Sequence, residues 1–160
     1  MTVQAHAWRS RLLIPLFPGA IALLAIILVL GRASGENVIR EAQPAPLFVL
    51  KESPGQTIKL ADFKNRALIV CFFATGDQPS RKQMGILNDL VGQYGETNVA
   101  VLALALDQTD PDSLKTCAEQ QHLRYTLHGA SYDVIQAFGG LTAIPTMFII
   151  DKNQNVIDKY

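Results

Sequence analysis

Asp77 and Ser80 stand where an apolar run, Leu68 to Ala74, turns through Thr75-Gly76 into a segment of helical periodicity. A serine hydroxyl becomes a nucleophile only beside an activating base, and none of His6, His122 and His128 lies near it in sequence. Asp77 is a favoured helix N-cap type, so its carboxylate reads first as a cap on the helix that follows. The two cysteines, Cys71 and Cys117, are far apart in sequence and form neither a CxxC pair nor a metal-ligand spacing with the three histidines. Cys71 falls inside the apolar run, where a thiol is expected to be buried, raised in pKa and inert. Cys117 shares an apolar helical face with Leu114 and Ala118. Metal ligation and cofactor binding are therefore not expected.

These residues need a strand that delivers them and a helix that receives them. Leu-Ile-Val-Cys-Phe-Phe is β-branched and aromatic, of strand length, and stops at a Gly-Asp turn. Pro79 suits the first helical turn, and Met84, Leu87, Leu90, Val91 and Tyr94 then recur on one helical face. Such a junction directs backbone N–H groups at whatever occupies the turn. Before it, Phe48–Leu50 and Gln56–Leu60 flank Ser53-Pro54-Gly55 and predict a hairpin. After it, the near-continuous apolar run Val99–Leu106 has the pattern of a parallel strand covered on both faces, ended by Asp107. Asp110-Pro111 starts a further helix, Tyr125–Leu127 reads as a weaker strand, and Tyr132–Phe138 reads as a short helix closed by Gly139-Gly140. The strand Thr146–Ile150 enters through Pro145, and a turn at 152–155 leads to a last strand. Strands alternating with helices imply an α/β sheet.

Three stretches resemble the thioredoxin-like superfamily, in its membrane-anchored TlpA and ResA type with redoxin and AhpC/TSA-like relatives. Phe72-Phe73-Ala74-Thr75 followed by Pro79, Arg81, Lys82 and Met84 is similar to the family's active-site helix start. Pro44-Ala45-Pro46-Leu47-Phe48 through Asp62-Phe63 resembles its entry hairpin, and Ile144-Pro145-Thr146 through Asp151 its proline loop. The resemblance implies a central mixed sheet flanked by helices, an N-terminal β-hairpin, and a cis bond at Pro145. It also places Asp77 and Ser80 at the positions of the two redox cysteines, with Cys71 below them and Gly76 in place of a tryptophan. Thiol–disulfide exchange needs a thiolate to attack and a second thiol to resolve, and neither Asp77 nor Ser80 supplies one. The expectation is a redox-inactive binding module whose protein or peptide partner lies between the Asp77 turn and the Ile144-Pro145-Thr146 loop. The alternative is a thiol–disulfide oxidoreductase or peroxiredoxin-like protein working through Cys71 or a partner's thiol.

Residues 1–11 carry His6, Arg9 and Arg11, and an uncharged apolar run of about 19 residues follows from Leu12 to Leu30. As a helix it reaches roughly 28 Å, enough for a hydrocarbon core of about 30 Å. Residues 12–31 therefore read as one transmembrane anchor, longer than the apolar core of a cleaved signal; cleavage after Ala33-Ser34-Gly35 is the competing reading. Residues 32–44 read as a linker and 45–160 as the domain, exported to the periplasmic or extracytoplasmic side. Lys plus Arg and Asp plus Glu both number 14, which leaves no basic footprint for nucleic acid. By the resemblance, a C-terminal helix should follow the strand Asn155–Tyr160. Without it, the sheet face beside Met147 and Ile149 is expected to be open to a partner or to self-association.

Overall fold

The computed structural model describes residues 43–52 and 55–160. In chain order these form strands β1 (Gln43–Pro44), β2 (Val49–Glu52) and β3 (Gln56–Lys59), a 3-10 turn (Leu60–Phe63), β4 (Ala67–Phe73) and helix α1 (Gln78–Tyr94). Then come β5 (Val99–Ala105), α2 (Pro111–Gln120), β6 (Leu127–Gly129), α3 (Tyr132–Ala137), β7 (Thr146–Ile150) and β8 (Asn155–Lys159).

β4 is apolar throughout because it runs through the middle of a six-stranded mixed sheet of order β1-β8-β7-β4-β5-β6. It pairs in parallel with β5, Phe73 opposite Ala105, and antiparallel with β7, Phe72 opposite Thr146. β2 and β3 form a separate antiparallel hairpin with Leu50 opposite Ile58. One face of β4, carrying Leu68, Val70 and Phe72, shares a core with Phe48, Leu50 and Leu60 of the hairpin region and with Val134 and Phe138 around α3. Phe138 is its hub, with ring centroids 5.5 Å from Phe72, 4.8 Å from Phe148 and 5.9 Å from Phe48. Each such pair adds about 0.5–1.5 kcal/mol to plain burial. The other face carries Ile69, Cys71 and Phe73, all fully buried. The buried stripe of α1, Met84, Leu87, Leu90 and Val91, stays out of the hairpin-side core, which places α1 on that second face.

α1 and α2 start as their sequences require. Asp77 and Asp110 are the N-caps, each followed by a proline in the first turn. Gly139 and Gly140, with φ of 81° and 76°, end α3 in a backbone region that favours glycine.

Several expectations shift. The weak strand at Tyr125–Leu127 is instead β6, Leu127–Gly129. Its start is displaced because the Tyr125 hydroxyl donates to the Met84 carbonyl of α1 at 2.9 Å, which ties that residue to the helix instead of to the sheet. Gln43 and Pro44, read as linker, pair with Val156 and Asn155 as the edge strand β1. Met147 and Ile149 are not open: they are 6% and 2% exposed. As the antiparallel partners of Cys71 and Ile69 they stand on the same covered face of the sheet as those two fully buried residues. The anchor expected at 12–31 and the segment 1–11 lie outside the described residues. Among the described residues no helix is long and apolar enough to cross a membrane.

Candidate functional site

The parallel pairing of β4 with β5 and its antiparallel pairing with β7 bring three chain segments to one end of the sheet. These are the Thr75–Asp77 turn after β4, Asp107 after β5, and the Ile144-Pro145 loop before β7. The Ile144–Pro145 peptide is cis, and the hydroxyl of buried Thr146 donates to the Ala143 carbonyl at 2.7 Å, closing the loop. Ile144 is 38% exposed, an apolar side chain on the rim.

At the head of α1 the carboxylate of Asp77 accepts from the Ser80 backbone N–H at 2.8 Å and from the Ser80 hydroxyl at 2.7 Å. Ser80 is fully buried, and its oxygen also accepts from the Ala74 N–H at 3.3 Å. The two side chains that sequence reasoning set at the cysteine positions thus meet directly. Their chemistry is that of a cap: an acceptor satisfied by a donor, with no sulfur in the pair and, among the described residues, no histidine hydrogen-bonded to the hydroxyl.

Cys71 lies on β4 with no exposed surface, and burial pushes its thiol up to about 12, so it is uncharged and inaccessible at neutral pH. Burial raises the nearby Tyr125 hydroxyl as well, with a smaller contribution from Cys71. Cys117 is half-buried on α2, its sulfur accepting from the Gln121 amide at 3.2 Å, and both cysteines are free. His128 is in β6 and pairs with Glu52 of β2, tying the hairpin to the sheet edge, and His122 is exposed with φ of 52°. Neither histidine belongs to the Asp77 turn. Among the described residues no cluster of three metal-ligating side chains occurs.

Asp107 belongs to this site, and sequence reasoning gave it only the role of ending a strand. Its carboxylate accepts from the Thr75 N–H at 2.9 Å, the Thr75 hydroxyl at 2.9 Å and the Gly76 N–H at 3.2 Å. Partial burial works to raise its pKa, but these hydrogen bonds outweigh it and hold the carboxyl below the usual carboxylate range. The available signal was register: Asp107 lies two residues beyond Ala105, as Thr75 lies two beyond Phe73, its parallel partner. On the carbonyl side of the turn, the Arg81 guanidinium donates to the Thr75 and Gly76 oxygens, both at 3.3 Å.

Comparison with known proteins points one way. The profile of the AhpC/TSA family matches residues 42–159. The thiol-disulfide oxidoreductase ResA of Bacillus cereus is 32% identical over 130 residues, covering 81% of this chain and 74% of that protein. ResA of Bacillus thuringiensis is 31% identical over 130 residues, with the same coverage of 81% and 74%. A crystal structure of a thioredoxin-family thiol:disulfide interchange protein from Chlorobium tepidum superposes with a TM-score of 0.65 at 29% identity, covering 75% of this chain and 86% of the other.

Proposed function

Because the chain belongs to the AhpC/TSA family, with a thioredoxin-like domain of the ResA and TlpA type, we propose that it is a redox-inactive member, a binding module tethered to a membrane. The reading is carried by one observation: the Asp77 carboxylate and the Ser80 hydroxyl hold each other at 2.7 Å at the head of α1. Exchange chemistry there would need one sulfur to attack and a second to resolve. The chain's only thiols are elsewhere, Cys71 buried and protonated and Cys117 on α2. What the site retains is a surface, with Gly76 and Ile144 exposed on either side of the proline loop and the Asp77 turn. The partner is a protein or peptide segment lying between that turn and Pro145. The apolar run at 12–31 is the anchor, with the domain on the exported side.

The deciding assay is insulin disulfide reduction by dithiothreitol. The purified protein is expected to leave the rate at its uncatalysed value, and turnover that vanishes in Cys71→Ala would replace this reading with the enzymatic one. For the tether, the expected result is retention in the membrane fraction after carbonate washing, with the domain open to protease added from outside the inner membrane. A shortened soluble chain beginning near Ser34 or Glu36 would show cleavage instead.

A further inference from the structure

We infer that Asp107 is a positioning residue of the candidate site: its carboxylate fixes the Thr75–Gly76 turn and occupies the amide donors that an external anion would otherwise bind. Its bearing on partner binding rests on the groove reading above, whereas its hold on the turn does not.

A strand running into a helix presents free N–H groups and a positive dipole end, an arrangement that attracts phosphate or carboxylate. Here the Thr75 and Gly76 N–H groups both end on Asp107, at 2.9 and 3.2 Å, and the Thr75 hydroxyl joins them at 2.9 Å. The opposite side of the same two peptides is engaged by Arg81, which donates to both carbonyls. Every backbone polar group of Thr75 and Gly76 therefore has a partner inside the chain. The acid comes from the segment just after β5, 32 residues from Thr75 in sequence, so it couples the turn to the end of that strand. The approach does not depend on glycine at position 76: a Cβ there would stand 4.0 Å from the Asp107 carboxylate, an ordinary contact. With its donors filled and a carboxylate already present, the turn takes a neutral or basic segment and rejects an anionic one. The charged groups nearest it along the chain are Asp77, the N-cap of α1, Arg81 and Lys82 of α1, and Asp110, three residues beyond Asp107.

The test is amide NMR on the full chain. In the native protein the Thr75 and Gly76 amide protons are expected to titrate together, with one midpoint below the ordinary carboxylate range. That shared step should persist in Asp77→Asn, a control for the other acid of the turn, and disappear in Asp107→Asn. In Asp107→Ala, exchange at both amides should rise at least about tenfold. Added inorganic phosphate should then shift both resonances saturably in Asp107→Ala while leaving them unmoved in the native chain. A native protein without the shared step, or one whose step follows Asp77, overturns the assignment. So does an Asp107→Ala protein that ignores phosphate, and if that variant fails to fold, the isosteric Asp107→Asn decides the matter on the titration alone. Failure of the groove to bind a partner would refute the proposed function and leave these readouts where they are.

Discussion

Replacing Asp77 by alanine tests the reasoning about the head of α1 most directly. The substitution removes the acceptor for the Ser80 N–H at 2.8 Å, a cap typically worth about 1 kcal/mol. It also strands the Ser80 hydroxyl, which has no exposed surface and keeps only the incoming Ala74 N–H. A buried polar group left without its partner costs about 1–3 kcal/mol. The sum, about 2–4 kcal/mol, is a large share of a folding free energy of about 5–15 kcal/mol. At roughly 4 °C per kcal/mol for a domain of this size, the melting temperature should fall by about 8–16 °C. Urea denaturation of the native chain, Asp77→Ala, Ser80→Ala and the double variant gives the full cycle. The expected coupling is at least about 1 kcal/mol, because Asp77→Ala strands the Ser80 hydroxyl and the double variant has no hydroxyl to strand. Asp77→Asn keeps an acceptor and should cost less than about 1 kcal/mol. An Asp77→Ala protein within about 0.5 kcal/mol of the native one, or strictly additive variants, would show that this pair does not hold the helix start.

Thiol titration of the native chain near pH 8 should find no more than one reactive cysteine, with Cys71 counted only after denaturation; two fast thiols would contradict its burial. Because the Cys71 thiol is raised from 9.0 to about 12 on folding, the unfolded chain loses this proton first as pH rises. The contribution is intact below about pH 9 and is lost between about pH 9 and 12, up to about 4 kcal/mol, so the stability gap between the native protein and Cys71→Ala should shrink over that window. The double variant Asp77→Cys with Ser80→Cys should form a dithiol at the helix N-terminus and gain insulin reductase activity, its first thiol depressed in pKa; a folded but inert variant would mean the loop has drifted. Gly129→Ala should destabilise by about 1–3 kcal/mol, since its Cβ would stand 2.9 Å from the Thr109 Cα, and unchanged urea unfolding would refute that packing.

What could be read in advance divides by range in the chain. The turn into α1 was legible because Asp77, Pro79 and the Met84-to-Tyr94 stripe are local signals, and the cap forms as those residue types require. The hairpin and the start of α2 at Asp110 were legible for the same reason. The cis bond at Pro145 came only from resemblance, and the structure has it. Asp107 was not legible: nothing around it announces a ligand for Thr75, and its role appears only once the β4–β5 register is known. Tyr125 misled because an aromatic residue beside Leu127 looks like strand, while its hydroxyl reaches across 41 residues to α1. The burial of Met147 and Ile149 likewise depends on the face they share with Cys71 and Ile69 of β4, and sequence alone does not set that register.

The Asp77–Ser80 contact also removes a kind of sensitivity. A disulfide at these two positions would open and close with the reducing power of its surroundings, and the helix start would change covalent state each time. A carboxylate holding a hydroxyl at 2.7 Å has no such second state. On the proposed reading the head of α1 keeps one shape in the presence of dithiothreitol or of an oxidant, and a partner resting against it would meet a surface that does not report on the redox poise outside.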